Sequence, residues 1–203
     1  MEVAPDVATE KEFYVPHKAV IREEAESTNL RVVYDCSSRP DPKIPSLNEC
    51  LEAGPSLYNM LRDILVRNRM LPIALTGDMK QAFLQIRIRE HERDALRFHW
   101  VESRETLKTL VLRFTRPLFG LIQSPFILGA TTEVHLKASS DEFPETVEEV
   151  KDNIYVDDVV EGGFQVDEVQ KFKDEVIEIC KRAGFELHKW HSNVSCLELD
   201  SPQ

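Results

Sequence analysis

The chain has 203 residues, 42% of them hydrophobic and 30% charged, which is typical of a globular domain. It has no run of about 18 apolar residues and its N-terminus is acidic, so we predict neither a membrane span nor a secretory signal. The four cysteines lie far apart without a Cys-x-x-Cys pair, which argues against a zinc site or a disulfide framework and favours a reducing, intracellular compartment. The net charge of −11 argues against nucleic-acid binding by the chain as a whole.

Charge is distributed unevenly along the chain. Residues 61–120 carry 12 basic and 7 acidic side chains, whereas the segments on either side are net acidic. A solvated charged surface is the simpler explanation of this basic island, and contact with phosphates is the other.

The first part of the chain predicts an arm, a hairpin and two helices. Residues 1–12 form the acidic arm. Two strand-like runs, Tyr14–Ile21 and Leu30–Tyr34, flank a polar stretch and predict a β-hairpin. Proline at three positions makes Arg39–Pro45 a connector. Ser46 then caps a short helix through Leu51, and Ser56 opens a longer one. The apolar face of this longer helix comprises Leu57, Met60, Leu61, Ile64 and Leu65.

Short strands dominate the middle of the chain. A buried strand, Ile73–Leu75, leads into Asp78. Further strands are predicted at Gln85–Ile88, Leu96–Val101 and Leu107–Phe114. Ser124 and Pro125 have the residue types of a helix start, so a helix is expected to run from there to about Ala138. Residues 139–150 are acidic and show little pattern.

The last part predicts a hairpin, a helix and a strand. The hairpin spans Ile154–Val160, and Gly162-Gly163 is expected to interrupt the chain after it. A helix capped by Asp167 ends at Gly184, and a strand follows at Phe185–Trp190. The inward residues of the helix are Val169, Phe172, Val176, Cys180 and Ala183. This order of elements predicts an α+β fold in which helices cover one face of an antiparallel sheet.

The residues that point to chemistry are carboxylates at strand ends. Tyr155-Val156-Asp157-Asp158 places two adjacent carboxylates in an apolar strand run, and a tight turn would lift both to the hairpin tip. Burying such a pair is costly unless positive charge lies against it. Asp78, at the end of another strand, would complete a three-carboxylate cluster suited to two divalent cations. Taken singly, the Asp-Asp pair also fits a solvated turn, and Asp78 fits a helix N-cap.

Three segments together resemble the palm motifs of reverse transcriptases, in the same order and at similar spacing. They are Asp78-Met79-Lys80-Gln81-Ala82-Phe83, Phe119-Gly120-Leu121-Ile122-Gln123-Ser124-Pro125 and Tyr155-Val156-Asp157-Asp158. The surrounding sequence is most similar to the Pao/BEL group of long-terminal-repeat retrotransposons. This second similarity rests on Tyr14–Ile21, Leu30–Asp35, Gly184–Trp190 and Ser192-Asn193, and the resemblance covers about Phe13 to Leu197.

The resemblance implies a catalytic centre that uses metal ions. Asp78, Asp157 and Asp158 would be the ligands of two Mg²⁺ ions, or of Mn²⁺, at the primer 3′ end. Lys189 lies where polymerases often place a general acid for the leaving pyrophosphate. The chemistry implied is addition of deoxynucleotides to a primer by two-metal phosphoryl transfer.

The resemblance also implies a set of nucleotide-binding residues. Arg31 matches a fingers residue that holds the incoming triphosphate, and Arg22 would join it from the other arm of the hairpin; exposed hairpin charge is the alternative for both. Phe83 matches the steric gate, a ring beneath the sugar that excludes a 2′-hydroxyl. Gly120 would let the backbone approach template or nucleotide. Phe119, which precedes Gly120, is a further candidate for nucleotide contact. Many retroviral enzymes have Gln at this position, so packing is the favoured role for Phe119.

The domains and partners follow from the same resemblance. Residues 1–12 would be an arm, 13–72 fingers with a connecting helix, and 73–203 mainly palm with fingers segments around 85–115. The partners would be an RNA or DNA template with its primer and deoxynucleoside triphosphates, with no membrane, in the cytoplasmic virus-like particle of a parent element. Thumb and ribonuclease H regions are expected to be missing, as in a fragment of a polyprotein or a degraded copy. The alternatives are an inactive remnant that binds nucleic acid or protein, and a two-metal nuclease or phosphatase.

Overall fold

The computed structural model describes residues 1–21, 30–103 and 105–198. These divide into two compact units, one of Met1–Gly54 with Ile86–Ser124 and the other of Pro55–Gln85 with Pro125–Gln203. Within the described part of the chain, no helix has both the length and the apolar character needed to cross a membrane.

The strands and helices follow one another in a mixed order. The strands are β1 (Glu2–Val3), β2 (His17–Ile21), β3 (Leu30–Tyr34), β4 (Ile73–Met79), β5 (Arg97–Val101), β6 (Thr109–Arg113), β7 (Ile154–Tyr155), β8 (Asp158–Gly163) and β9 (Leu187–Ser192). The α-helices are α1 (Leu47–Cys50), α2 (Leu61–Arg69), α3 (Ala82–Gln85), α4 (Ser124–Ser139), α5 (Pro144–Asn153) and α6 (Val166–Arg182). Within the described ranges, 3₁₀ helices lie at Glu90–Leu96 and Ser195–Leu197.

The first unit contains a two-stranded and a three-stranded antiparallel sheet. Strands β2 and β3 pair from His17–Tyr34 to Ile21–Leu30, which confirms the predicted hairpin. In the other sheet β6 lies between β1 and β5. Apolar side chains that these elements share with α1 form the core. They are Val15, Cys36, Leu47, Leu96, Phe98, Phe114, Leu118 and Leu121.

The short helix α1 begins as its sequence predicts. The Glu49 carboxylate accepts hydrogen bonds from the Ser46 backbone N–H at 2.8 Å and from the Ser46 hydroxyl at 2.9 Å. The bond from the Ser46 N–H to the Glu49 carboxylate is one half of a capping box, and it satisfies a donor at the helix N-terminus. Four residues cannot form a stable isolated helix, so the cap and the buried Leu47 fix it in place.

The second unit is built on a four-stranded antiparallel sheet with the order β7-β8-β4-β9. Burial alternates along the central strand β4, with Leu75 and Met79 buried and Asp78 on the opposite face. The buried face packs against α6, whose inward residues include Val169, Phe172, Val176 and Cys180, as predicted. Gly184, at φ +80°, follows the end of this helix. The predicted α+β class, with helices on one face of an antiparallel sheet, is confirmed.

Two predicted elements differ from the structure. Helix α2 begins at Leu61 and not at Ser56, since the Asn59 side chain donates to the Lys151 and Ile154 carbonyls, at 2.7 and 3.2 Å, and holds its segment extended. Of the apolar face predicted for α2, Ile64 alone is buried. The strand predicted at Gln85–Ile88 is absent, because the chain turns at Gln81 (φ +50°) into the single-turn helix α3.

Two further differences lie around the hairpin. Helix α5 falls in the segment that showed little pattern; Pro144 at its start and the buried Val147 and Val150 are the signals that could have revealed it. Gly162 and Gly163 end strand β8 and do not interrupt it. A Cβ at position 162 would lie 2.4 Å from the Ile73 carbonyl oxygen, so glycine permits close strand pairing there.

A buried ion cluster fixes the N-terminal segment to the first unit. Asp94 is fully buried, and it accepts hydrogen bonds from the Thr9 N–H at 2.9 Å and from Arg97 and Arg113 at 3.0 Å. Arg113 also donates to Glu2 at 2.7 Å. Burial alone would raise the pKa of Asp94, but the hydrogen bonds from Thr9, Arg97 and Arg113 outweigh it and lower the pKa to about 2.

We expect Asp94→Asn to destabilise the first unit by about 3 kcal/mol at pH 7, because it leaves buried guanidinium groups without their counter-charge. The pKa is depressed from 3.8 to about 2, so the carboxylate's contribution is present above pH 3.8 and is lost as the pH falls towards 2. Denaturant unfolding from pH 7 to 2 measures this. The difference between wild type and variant should shrink across that window, and the exposed Glu105→Gln should behave as wild type. An equal difference at both ends of the range would contradict the ionic explanation.

Candidate active site

One row of side chains crosses all four strands of the second unit's sheet. Asp158 lies opposite Tyr155 in β7 and opposite Asp78 in β4, and Asp78 lies opposite His188 in β9. Directly opposed residues of antiparallel strands project on the same face. The structure therefore brings Asp78 beside the hairpin that carries Asp157 and Asp158, as the sequence predicted for these strand ends.

The hairpin tip is a two-residue turn, Val156-Asp157, between β7 and β8. Val156 has φ +58°, a left-handed conformation that costs a β-branched residue about 1–2 kcal/mol. The Asp157 carbonyl accepts a hydrogen bond of 2.8 Å from the Met79 N–H, which attaches the turn to the strand that carries Asp78. Backbone strain of this kind is often retained where a turn must hold functional groups in place.

A β-bulge brings Lys189 to the same face as Asp78. Between the pairs Thr76–His191 and Asp78–His188, strand β9 contains one residue more than β4. Lys189 takes up the difference with φ +52°. Gly77 faces the bulge, where a Cβ would lie 2.6 Å from the Trp190 ring. The absence of a side chain at Gly77 thus makes room for Trp190, and the bulge turns Lys189 towards the carboxylates.

The Asp78 carboxylate is paired with basic side chains. Its Oδ2 accepts from Lys189 Nζ at 3.0 Å and lies 3.3 Å from His188 Nε2. The Asp78 side chain is about one-third exposed and that of Lys189 is well exposed, so the ion pair is a weak, solvent-screened one. A partner held so loosely can be exchanged for another cation.

The hairpin carboxylates are electrostatically unfavourable as they stand. Burial raises the pKa of Asp157, and the charge of Asp78 raises it further. Burial is also the main cause of the raised pKa of Asp158, with Asp157 and Asp78 adding to it and Lys189 opposing it. Additional positive charge at the sheet end would relieve this repulsion.

The donor set matches magnesium in kind, since Mg²⁺ takes carboxylate oxygens together with substrate phosphates. Among the described residues, however, no three His, Cys, Asp or Glu side chains are arranged to hold a metal ion. The Asp78 carboxylate contacts Lys189 and His188. The metal-ligand roles of Asp78, Asp157 and Asp158 therefore stay predictions, as does the general-acid role of Lys189.

The residue matched to the steric gate lies in the same unit. Phe83 is in α3, four residues beyond the end of β4, and exposes 6% of its surface. A ring so deeply buried contributes to packing whatever else it does. Its role in sugar selection stays a prediction.

The other candidate nucleotide-binding residues lie in the first unit. Arg31 is exposed on β3 opposite Val20, and Arg22 lies outside the described residues. Gly120 has φ +95°, a conformation that favours glycine. Phe119 is 59% exposed, so it lies outside the core, and its role stays a prediction.

Two residues near these candidates were not singled out from the sequence. Asn48 donates to the Gly120 carbonyl at 2.8 Å and accepts from the Ile122 N–H at 2.9 Å, and so fixes the loop that contains Gly120. The other is His188, which lies beside Asp78. The signal for Asn48 is a polar residue at the start of a buried helix, and the signal for His188 is a histidine next to the candidate Lys189. Neither signal specifies a partner by itself.

Comparison with known proteins identifies the fold. Neither a protein-family model nor a curated protein matches the chain. Solved structures do match. The foamy viral protease-reverse transcriptase in complex with an RNA/DNA hybrid is 18% identical, with a TM-score of 0.64 over 91% of this chain and 21% of that one. The native prototype foamy virus protease-reverse transcriptase is 17% identical, with a TM-score of 0.63 and the same coverage.

At this level of identity the similarity shows the fold alone. The chain has a reverse transcriptase-like fold of the fingers and palm type, as its motifs predicted, and it spans about a fifth of the length of the solved chains that it matches. The Pao/BEL grouping stays a prediction.

We expect Asp157→Asn to stabilise the protein at pH 7 in the absence of divalent cations. The pKa of Asp157 is raised on folding, so its ionised form costs stability above the folded-state pKa and costs nothing below the unperturbed value of 3.8. The variant should therefore melt about 1–3 °C higher at pH 7 and equally at pH 3.5. Thermal unfolding monitored by circular dichroism measures this, with the exposed Asp141→Asn as the control. A lower melting temperature at pH 7 would show that Asp157 is held by contacts more favourable than its repulsion from Asp78.

Proposed function

We propose that this chain is the fingers and palm part of an RNA-directed DNA polymerase of the Pao/BEL type. The observation that carries the proposal is the row in which Asp78 and Asp158 oppose each other, with Asp157 in the adjoining turn, on a reverse transcriptase-like fold. The order of the three motifs in the sequence, which resembles that of reverse transcriptases, also supports the proposal. In this proposal residues 13–72 supply fingers with a connecting helix, and residues 73–203 supply mainly palm, with fingers segments around 85–115.

The proposed reaction is attack of a primer 3′-hydroxyl on the α-phosphorus of a deoxynucleoside triphosphate, with pyrophosphate as the leaving group. Asp78, Asp157 and Asp158 would hold two Mg²⁺ ions. When bound, these ions would neutralise the phosphates and favour ionisation of the 3′-hydroxyl. The raised pKa values of the hairpin carboxylates mean that added positive charge at this place is favourable.

Lys189 would exchange partners during the reaction. In the structure its ammonium group pairs with Asp78. If Asp78 bound Mg²⁺ instead, Lys189 Nζ would be available to donate a proton to the departing pyrophosphate. The bulge at Lys189 supports this role, because it sets the amine on the same face as Asp78 and Asp158.

The remaining roles concern the nucleotide and the nucleic acid. Arg31 would bind the triphosphate, with Arg22 as its proposed partner, and Phe83 would lie beneath the sugar. Gly120 would permit close backbone approach, with Phe119 beside it. The partner proposed is a template with its primer; the foamy viral enzyme was solved with an RNA/DNA hybrid.

A non-catalytic binding module is the second candidate. The observation that favours it is that no described group of three side chains is arranged to hold a metal ion. In that case the fold would retain contact with nucleic acid or protein and lack polymerase activity. Metal binding distinguishes the two candidates more directly than activity does.

We expect the 203-residue chain to bind Mn²⁺ at the carboxylate row, and Asp158→Asn to weaken binding at least about tenfold. The reason is the loss of one charged oxygen ligand from the set. Electron paramagnetic resonance of free Mn²⁺ measures binding, and primer extension on an RNA template measures activity. Asp141→Asn is the matched control. Equal Mn²⁺ affinity in wild type and Asp158→Asn would exclude the proposed metal site.

For Phe83→Ala, we expect a higher ratio of ribonucleotide to deoxynucleotide incorporation, since a methyl group cannot overlap a 2′-hydroxyl as a ring does. Incorporation is best measured in a protein that also includes thumb and ribonuclease H regions. Asp157→Asn is measured alongside, as a variant that should incorporate neither ribonucleotides nor deoxynucleotides. Because Phe83 is buried, its stability is measured in parallel, and Phe83→Leu serves as a variant that retains more volume. An unchanged ratio in both folded variants would assign Phe83 to packing alone.

A further inference from the structure

In strand β9, His188 and Lys189 lie on one face of the sheet and Trp190 lies on the other. His188 and Lys189 both reach the Asp78 carboxylate, at 3.3 and 3.0 Å. Trp190 exposes 4% of its surface and lies against α6 on the helix-covered face. Two successive residues on one face interrupt the alternation of a regular strand. The bulge therefore allows Lys189 to reach the carboxylate while the next residue is buried.

A regular strand would give the opposite arrangement. With Asp78 still opposite His188, the next pair would be Gly77 with Lys189. Alternation would then turn Lys189 to the helix-covered face and Trp190 to the face of Asp78. A lysine would occupy the core, and an indole ring would occupy the candidate site. Burial of the Trp190 ring and presentation of Lys189 are thus two results of one backbone geometry.

The Trp190 ring fits the strand beside it. A Cβ on Gly77 would lie 2.6, 2.8 and 2.9 Å from the ring carbons Cζ3, Cε3 and Cη2, closer than real Cβ atoms approach. The ring therefore lies directly against the Gly77 backbone and fills the space that a side chain would take. Without the ring this space would be empty, and a cavity beside a central strand lowers stability. The position of the ring is thus set by β4.

A buried lysine also holds the ring. Lys173, on α6, exposes 1% of its surface, and its ammonium group lies 5.0 Å from the centroid of the Trp190 ring. The same group donates to the Leu197 carbonyl at 3.0 Å. An ammonium group over an aromatic face is attracted by the ring, more strongly where water is excluded. Lys173 therefore attaches the ring both to α6 and to the 3₁₀ helix that follows β9.

We propose that Trp190 is the positioning residue for Lys189, and that Lys173 fixes Trp190 in that role. Lys189 has φ +52°, a left-handed conformation that persists at a non-glycine residue where the surrounding structure imposes it. Burial of the adjacent Trp190 ring is the constraint that imposes it here. The part that Lys189 plays in catalysis rests on the proposed polymerase function, whereas its placement beside Asp78 does not.

Two NMR signals of the 203-residue chain report the placement of Lys189 without metal, template or nucleotide. A left-handed residue has its amide and α protons close together, so Lys189 should give a strong Overhauser effect between them. The Lys189 side-chain resonances, assigned with Lys189→Arg, should shift in Asp78→Asn because the ion pair is lost. In Trp190→Leu we expect a weaker Overhauser effect. There Asp78→Asn should produce less than about half of its usual shift, since the two residues are no longer coupled.

Three further variants separate positioning from packing. Trp190→Phe retains a ring for the Lys173 ammonium group and should retain both signals of Lys189. Lys173→Met retains the length of the side chain without its charge, and should change both signals in the same direction as Trp190→Leu, by a smaller amount. Phe185→Leu is the matched control, because Phe185 is 5% exposed and lies just before β9. It should lower the melting temperature and leave Lys189 as in wild type.

Gly77→Ala tests the fit between the ring and β4. In the wild-type background it should weaken the Lys189 Overhauser effect and lower the melting temperature, because the Cβ meets the Trp190 ring. In the Trp190→Leu background the same substitution should lower the melting temperature much less, since the smaller side chain leaves room for a methyl group. If Trp190→Leu does not fold, Gly77→Ala and Lys173→Met carry the test.

The proposal is overturned by either of two results. The first is a wild-type pair of Lys189 signals in folded Trp190→Leu, and the second is an equal change in Phe185→Leu, which would show that Lys189 follows general packing. Wild-type signals in Lys173→Met would overturn the role of Lys173. Metal binding at Asp158 is measured separately, so the placement of Lys189 and the proposed polymerase function stand or fall on different measurements.

Discussion

The pairing of strand β4 with a strand on each side is the constraint on which the candidate site depends. Asp78 acquires both its neighbours from this pairing, Asp158 on one side and His188 on the other. The alternation of buried and open positions along β4 then decides that Asp78 projects away from the helix-covered face. A one-residue shift in either pairing would move Asp78 to the opposite face relative to its neighbours. Register, more than any single contact, therefore creates the site.

Several unfavourable features are concentrated at this one end of the sheet. Val156 and Lys189 both adopt left-handed backbone conformations, and Asp157 and Asp158 repel Asp78. The favourable packing that compensates lies on the other face of the sheet, where α6 buries Val169, Phe172 and Val176. This division, with strain and charge on one face and a well-packed core on the other, is typical of sites whose geometry serves function before stability.

The first unit is stabilised by different means. Its three-stranded sheet is held partly by the buried cluster in which Asp94 is satisfied by Arg97 and Arg113. Breaking such a cluster is costly, although building it gains little over apolar packing. Asn48, at the start of α1, fixes the loop that contains Gly120. A short helix that is marginal by itself therefore holds this candidate nucleotide-binding loop in its conformation. The Gly120 backbone in turn adopts a positive φ that favours glycine.

The sequence by itself determined the α+β class, the β2–β3 hairpin, the inward face of α6 and the carboxylate hairpin, because each depends on local periodicity or turn chemistry. The tertiary structure decided the start of α2 and the partners of Asp78. These depend on residues distant in the chain, such as Asn59 with Lys151 and Asp78 with Lys189. Local pattern carries no information about which distant group will satisfy a hydrogen bond, or about where a bulge will place one residue more on one strand than on its neighbour.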